Sequence, residues 1–299
     1  MPATTNQFAK AISLVDYQPA FISGADTVSW DWKKLATLKT TNRKTEQVFS
    51  WAGLPIPAQT NELQPIYYAD MAELPATTFT MTKYSLATSF SYELLKYDQH
   101  VRDLMAKAGK QMGNAHSYLK DVVIANIFNN ATTATVYDSV ALCGTHTTRS
   151  GDSVDNALAA ASLSFDNLWS QIDYFSTALV NHSGMKFTSK PKYLVLNPIQ
   201  AKTVEKILET DREPDQGDWN KNTLLKRGIQ PLYCPHLTST TEYFLVGENF
   251  ADDLWVFTVE EPQFDMEDDF DRMGTKYRSY QIFGAGVKDY FEIVENPGA

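Results

Sequence analysis

Cysteine is almost missing from this chain: 299 residues carry only Cys143 and Cys234. Two thiols give no disulfide framework, and their scarcity suits a reducing compartment. The first thirty residues contain no basic segment followed by an apolar one, so no secretion signal is expected. No apolar run approaches the ~20 residues that a membrane-spanning helix needs. A glycine-rich phosphate loop and a pair of catalytic carboxylates are also missing, which removes two common signatures of enzyme chemistry. Positive charge is in deficit, with 26 Lys and Arg against 36 Asp and Glu, a net charge of −10. A chain of that sign is not expected to grip nucleic acid tightly.

Aromatic side chains are plentiful: 15 Tyr, 16 Phe and 6 Trp, within a hydrophobic share of 43%. Aromatic surplus over aliphatics suits large, half-wet interfaces better than one dry core. Charge is unevenly spread. Residues 1–44 hold six cations (Lys10, Lys33, Lys34, Lys39, Arg43, Lys44) against Asp16, Asp26 and Asp31, and everything beyond is acidic. Such a basic leader suits an acidic partner surface.

Neither helical nor strand periodicity persists over the first forty residues, and "PAFISGADTVSWDWKKL" reads as an extended arm with one short turn. Residues 45–93 read as a long hairpin. "TEQVFSW" alternates into a proline-marked tip, and "TTFTMTKYSLATSFSYELL" returns with near period-two alternation. A hairpin of that length has too little apolar surface to fold alone, so it must lie on something else. From Asp98, the expected N-cap, to Phe128, apolar residues recur every three or four positions (Leu104, Met105, Ala108, Met112, Ala115, Leu119, Val122). That spacing predicts one amphipathic helix roughly 45 Å long. From 157 the pattern turns α/β: a helix capped by Ser164 and closing near Gly184, a buried strand "KYLVLNP", and a helix capped by Asn197 with Pro198 in its first turn. An acidic loop, 209–221, follows, then strands at "EYFLVGE" and "LWVFTV". The tail reads as two more strands around the glycines of "FGAGV".

The most reactive stretch is "ALCGTHTTRSGDSVDN", residues 141–156. A nucleophilic site here would need Cys143 deprotonated by His146, with Asp152 or Asp155 orienting the imidazole. Cysteine hydrolases usually start a helix at the thiol and draw their histidine from far away in sequence, and this stretch does neither. Turn chemistry accounts for the same residues: Gly144 and Gly151 for positive φ, and Ser, Asp and Asn for local backbone bonds. Cys143, His146, Cys234 and His236 make a Cys2His2 set on paper, but the spacings match structural zinc sites poorly. The acids Glu260, Glu261, Asp265, Glu267, Asp268, Asp269 and Asp271 invite calcium. A twelve-residue loop counted from Asp269 nevertheless puts Tyr280 where the bidentate glutamate belongs. A charged face with Arg272, Lys276 and Arg278 as partners is the simpler expectation.

Five stretches, in order, resemble the major capsid proteins of tailed phages: "TKYSLATSFSYELLKYD", the 141–156 loop, "PKYLVLNPIQAKTVEKIL", "EYFLVGENFADDLWVF" and "DDFDRMGTKYRSYQIFGAGVKDYFEIVEN". The loop looks nearest the Mu-type major head subunit. The resemblance spans roughly residues 45–295. It implies an α+β chain of the Hong Kong 97-type capsid fold: an N-terminal arm over 1–44, an extended E-loop hairpin over 45–93, and a P-domain spine helix over 94–139. An α/β A-domain over 140–260 and P-domain strands over 261–299 would complete it.

By the same resemblance, the subunit builds pentamers and hexamers of an icosahedral head assembled in the bacterial cytoplasm and found in the virion. Its partners would be itself, a separate scaffolding protein (no long charged helical leader precedes the arm), a portal, decoration proteins and double-stranded DNA held without sequence specificity. No enzyme activity, cofactor or membrane is implied. Contacts between subunits are expected at the hairpin tip (Leu54, Ile56, Leu63, Ile66, Tyr67, Tyr68) and the arm (Phe21, Ile22, Trp30, Trp32, Lys33, Lys34, Lys39). Asp211, Arg212, Glu213, Asp215 and Asp218 are expected to face the capsomer axis. Some shells of this type weld neighbours through an E-loop lysine, but no lysine lies between Lys44 and Lys83, so that weld is not expected. Two alternatives remain open: an encapsulin-type compartment shell and a Cys/His hydrolase.

Overall fold

The computed structural model describes residues 17–97, 101–186, 189–214, 220–269, 271 and 273–299. In chain order, a helix α1 (17–25) leads to β1 (Thr37–Thr40) and a hairpin of β2 (Thr45–Val48), β3 (Trp51–Ala52), β4 (Ala72–Glu73) and β5 (Thr77–Thr80). β6 (Thr82–Ser91) and α2 (Tyr92–Tyr97) precede the long α3 (Val101–Asn129), then come the short β7 (Thr145–Thr147) and β8 (Ser153–Asp155). The α/β part holds α4 (Phe165–Thr177), β9 (Pro191–Leu196), α5 (Ala201–Leu208), β10 (Gln230–Tyr233) and β11 (Tyr243–Gly247). Two long strands, β12 (Leu254–Asp269) and β13 (Gly274–Val287), and β14 (Ile293–Asn296) close the chain.

These strands build two principal sheets. The long one has the order β1-β12-β13-β6, with β1 parallel to β12 and the other pairs antiparallel. The compact one has the order β10-β9-β11-β14. Strand alternation splits the compact sheet between two cores. Leu194, Leu196, Leu245 and Val294 meet Leu168, Ile172 and Phe175 of α4 and Val204 and Ile207 of α5. Tyr193, Val195, Phe244 and Ile293, on the opposite face, meet Ile124 and Phe128 of α3 together with Trp30 and Trp32.

The spacing-predicted helix is present as α3, about 44 Å long at 1.5 Å per residue, with Met105, Met112, Ile124 and Phe128 buried. Its expected N-cap, Asp98, lies outside the described residues. Ser164 caps α4 by accepting the Asn167 N–H at 3.2 Å, and Asn197 accepts the Ile199 N–H at 3.1 Å ahead of α5. Helix α4 ends at Thr177, earlier than Gly184, and Gly184 instead closes a turn at φ +75°.

Three expectations change. Residues 17–25 are helical where the sequence reads as extended. Tyr17 and Phe21, one turn apart, fix this segment on the long sheet: Tyr17 stacks on Phe264 and Tyr277, and Phe21 packs against Phe264 at a tilt. The α1 and α3 backbones touch where Gly24 and Gly113 leave room; a Cβ on either would collide with backbone of the other helix. The glycines of "FGAGV" make no turn, since β13 runs straight through them. A Cβ at Gly284 would fall 2.5 Å from the Thr80 carbonyl, and one at Gly286 would fall 3.0 Å from the Phe79 ring. Finally, the chain does not divide at residue 260. β12 enters the long sheet from Leu254, and the chain leaves that sheet after β13, so that β14 pairs with β11 in the compact sheet. No described helix is long and apolar enough to cross a membrane.

Candidate inter-subunit surfaces

The hairpin pairs β2 with β5 and β3 with β4, and from residue 53 to 71 it forms no strand. All six tip residues singled out above, Leu54, Ile56, Leu63, Ile66, Tyr67 and Tyr68, are at least half exposed. Phe49, Trp51 and Met71 extend the same apolar surface. Leu63 is wholly exposed and sits at φ +66°, a region bulky side chains avoid. A strained, bare leucine at a tip is the kind of feature that binding surfaces retain.

The arm divides by chemistry. Phe21, Trp30 and Trp32 are buried inside their own subunit, so they are corrected from neighbour contacts to core residues. Phe21 packs on Phe264; for the two tryptophans the reason is Asp121, a buried residue on α3 that composition alone gives no means of singling out. It accepts the Trp32 Nε1–H, the Ser29 N–H and the Ser29 hydroxyl, each at 2.6 Å. Ile22 stays exposed, as do Lys33 and Lys34, the latter 2.8 Å from Asp31. Lys39 lies 2.9 Å from the centre of the Trp255 ring; burial, then the nearby Lys288, lowers its pKa.

In the acidic loop, Asp211 and Arg212 are exposed and Glu213 half-buried, while Asp215 and Asp218 lie outside the described residues. Asn222 ties the loop down by donating to the carbonyls of Ile207 (2.6 Å) and Thr210 (3.0 Å). Two carboxylates of β12 meet cations of β13: Asp265 lies directly opposite Arg278, at 3.1 Å, and Asp269 reaches Lys276 diagonally, at 2.6 Å. Arg272 lies outside the described residues.

The 141–156 stretch is architectural. Cys143 is buried, and its pKa is raised well above the usual value by desolvation and then by Glu295, so it remains a thiol. His146 turns instead to Asp138, with Nδ1 2.7 Å from Oδ2, and its ring stacks on Tyr290 at 3.7 Å. Asn156 binds the loop to the C-terminal segment, donating to the carbonyls of Leu142 (2.9 Å) and Tyr290 (3.1 Å). Gly151 has φ +90°, as expected. Gly144 does not adopt positive φ; it accommodates Val140, which a Cβ would meet at 3.2 Å. Burial also raises Cys234 to about 11, and His236 packs against Tyr118 and lies 2.8 Å from the Ser29 hydroxyl. No group of three or more potential metal ligands occurs among the described residues.

Comparison with known proteins decides the family. The model of the phage capsid protein family matches residues 74–296. The chain belongs to that family. No curated protein matches it. Among solved structures, this capsid protein is similar to a Microbacterium phage Oxtober96 chain, with 7% identity, 91% of this chain and 92% of that one covered, and a TM-score of 0.61. The capsid of Cyanophage P-SCSP1u gives 13% identity, coverage of 91% and 89%, and a TM-score of 0.60. A virus-like particle from Pyrococcus furiosus is also similar, with 10% identity, coverage of 94% and 98%, and a TM-score of 0.50. The capsid protein thus has the Hong Kong 97-type fold, and its role is structural. Likeness of fold alone does not separate phage heads from other shells, but the family match favours the phage head.

Proposed function

We propose that this capsid protein is the major head subunit of a tailed bacteriophage, repeated as pentamers and hexamers in an icosahedral shell around double-stranded DNA. The observation that carries the proposal is the apolar tip, nine large hydrophobic residues between Phe49 and Met71 exposed together in the lone subunit. Apolar surface on that scale needs a partner. We assign Leu54, Ile56, Leu63, Ile66, Tyr67 and Tyr68 to a neighbour's surface, Lys33 and Lys34 to acidic surface between subunits, and the 209–221 loop to the capsomer axis. The net charge of −10 suits a container whose wall must release its genome, so the DNA is held without sequence-specific binding. Assembly takes place in the host cytoplasm, with a separate scaffolding protein, a portal and decoration proteins as partners. Within the family we assign it nearest the Mu-type subunits, on the 141–156 motif.

Negative-stain microscopy of the purified protein at high concentration tests the proposal. Closed shells or capsomers are expected. A subunit that stays monomeric and hydrolyses esters in a Cys143-dependent way would overturn it. Uniform, correctly sized shells formed without any scaffold would remove the scaffolding partner. A neighbouring cargo gene in place of terminase and portal genes would favour an encapsulin-type compartment.

A further inference from the structure

β6 is the terminal strand of the long sheet. One edge pairs with β13 from Thr82 opposite Phe283 to Ser91 opposite Gly274, and the other edge has no strand partner among the described residues. Exposed edges are normally blunted by charge, proline, bulges or brevity. β6 is ten residues long, contains no proline, carries one charge, Lys83, and leaves seven of its residues exposed. Beside it, on the face of the sheet turned away from α3, lies a cleft of about 580 Å³. Lys83, Ser85 and Ala87 line it from β6, and Arg278, Tyr280 and Ile282 line it from β13. The two small residues of β6 leave it open.

The hairpin tip has the opposite need. Between residues 53 and 71 a single backbone hydrogen bond forms within the segment, from the Gln64 N–H to the Asn61 carbonyl at 3.1 Å. Pro55, Pro57 and Pro65 break the early part, but residues 66–71, Ile-Tyr-Tyr-Ala-Asp-Met, are free of proline and rich in strand formers. When this apolar segment is covered, its backbone groups need partners. Its one charge, Asp70, makes no ion pair among the described residues. Neither does Lys83, whose ammonium lies 4.8 Å from the centre of the Tyr280 ring.

We propose that residues 66–71 of one copy add as an antiparallel fifth strand to the free edge of β6 in a neighbouring copy. Alternation along the added strand puts Ile66, Tyr68 and Asp70 on one face. Setting Asp70 opposite Lys83 then places Tyr68 opposite Ser85 and Ile66 opposite Ala87, so the two large side chains fill the space the two small ones leave. Backbone hydrogen bonds supply the attraction, and the cleft sets the register. This contact rests on the shell reading and names the surface that receives the tip.

Mixing two full-length variants, Tyr68→Cys and Ser85→Cys, tests it under mild oxidation. The native thiols are buried and stay silent. A disulfide-linked dimer is expected only in the mixture, never in either variant alone. The off-face pair Tyr67→Cys with Ser85→Cys should cross-link about tenfold less. Independently, Asp70→Lys or Lys83→Asp alone should slow assembly about five- to tenfold, and the two together should restore it. Shells that form normally without the cross-link, or charge variants that neither impair nor rescue, would overturn this contact and leave the shell reading standing. An unmodified chain that never assembles would overturn the shell reading and this contact with it.

Discussion

At the scale of single residues, burial decides which chemistry is silent. Cys143 and His146 sit three positions apart, yet the thiol is held protonated beside Glu295 while the imidazole is committed to Asp138 and Tyr290. The titratable feature that matters here is a carboxyl pair. Burial, then a hydrogen bond to Glu295, raises the Glu242 pKa from 4.5 to about 8, and Glu295 is raised with it, so the pair holds a proton. A group that binds its proton more tightly when folded contributes stability that is complete below its unfolded pKa and lost as pH rises through its folded one. The subunit should therefore lose stability between about pH 5 and about pH 9. Glu242→Gln, which keeps the hydrogen bond without a titrating proton, should flatten that loss in thermal melts across the same range. An unchanged alkaline slope would assign it to other groups.

At the scale of elements, close approach explains what pattern reading cannot supply. α1 is held by the Gly24 and Gly113 crossing and by the Asp121 hydrogen bonds that follow it. Gly113→Val should cost about 1–3 kcal/mol in denaturant unfolding, the usual range for overpacking a tight contact. The same substitution at Gly151, where a Cβ would meet nothing but φ is +90°, tests strain without collision and should cost less. The hairpin tip should behave in the opposite way. Deleting residues 54–71 removes exposed apolar groups and one internal backbone bond, so the melting temperature should stay within a few degrees while shells fail to close. A large loss of subunit stability would mean that the tip packs on its own body.

At the scale of the whole molecule, charge acts through repetition. After residue 44 the body carries 20 Lys and Arg against 33 Asp and Glu, a balance of −13, so body-to-body contacts repel on average. Lys33 and Lys34 remain exposed to offset this, whereas Lys39 is already committed to Trp255. Exposed pairs are worth only ~0.2–1 kcal/mol each and are screened beyond about 8 Å at physiological salt, but every copy repeats them. Lys33→Gln with Lys34→Gln should lower the shell's dissociation temperature at low ionic strength and have little effect near 1 M salt. Equal stability at low salt would assign cohesion to the hairpin tips and the other subunit contacts.

The sequence by itself determined whatever depends on neighbours along the chain. The apolar period of α3, the Ser164 cap and the proline-marked tip are local patterns, and each appears where those patterns put it, whereas β6, expected to return along the hairpin, pairs with β13 in the long sheet, and Asn197 caps a short turn ahead of α5. The absence of cations between Lys44 and Lys83 and the exposed apolar tip were legible for the same reason. Tertiary structure alone decided what depends on distant partners. Trp30 and Trp32 face inward because Asp121 waits for them some 90 residues away, and Phe21 because Phe264 lies some 240 residues on. "FGAGV" stays extended because Phe79 and Thr80 lie across it, and β14 joins the compact sheet because β11 offers it an edge. Glycine and aromatic residues carry weak local preferences, so their conformation is set by whatever packs against them.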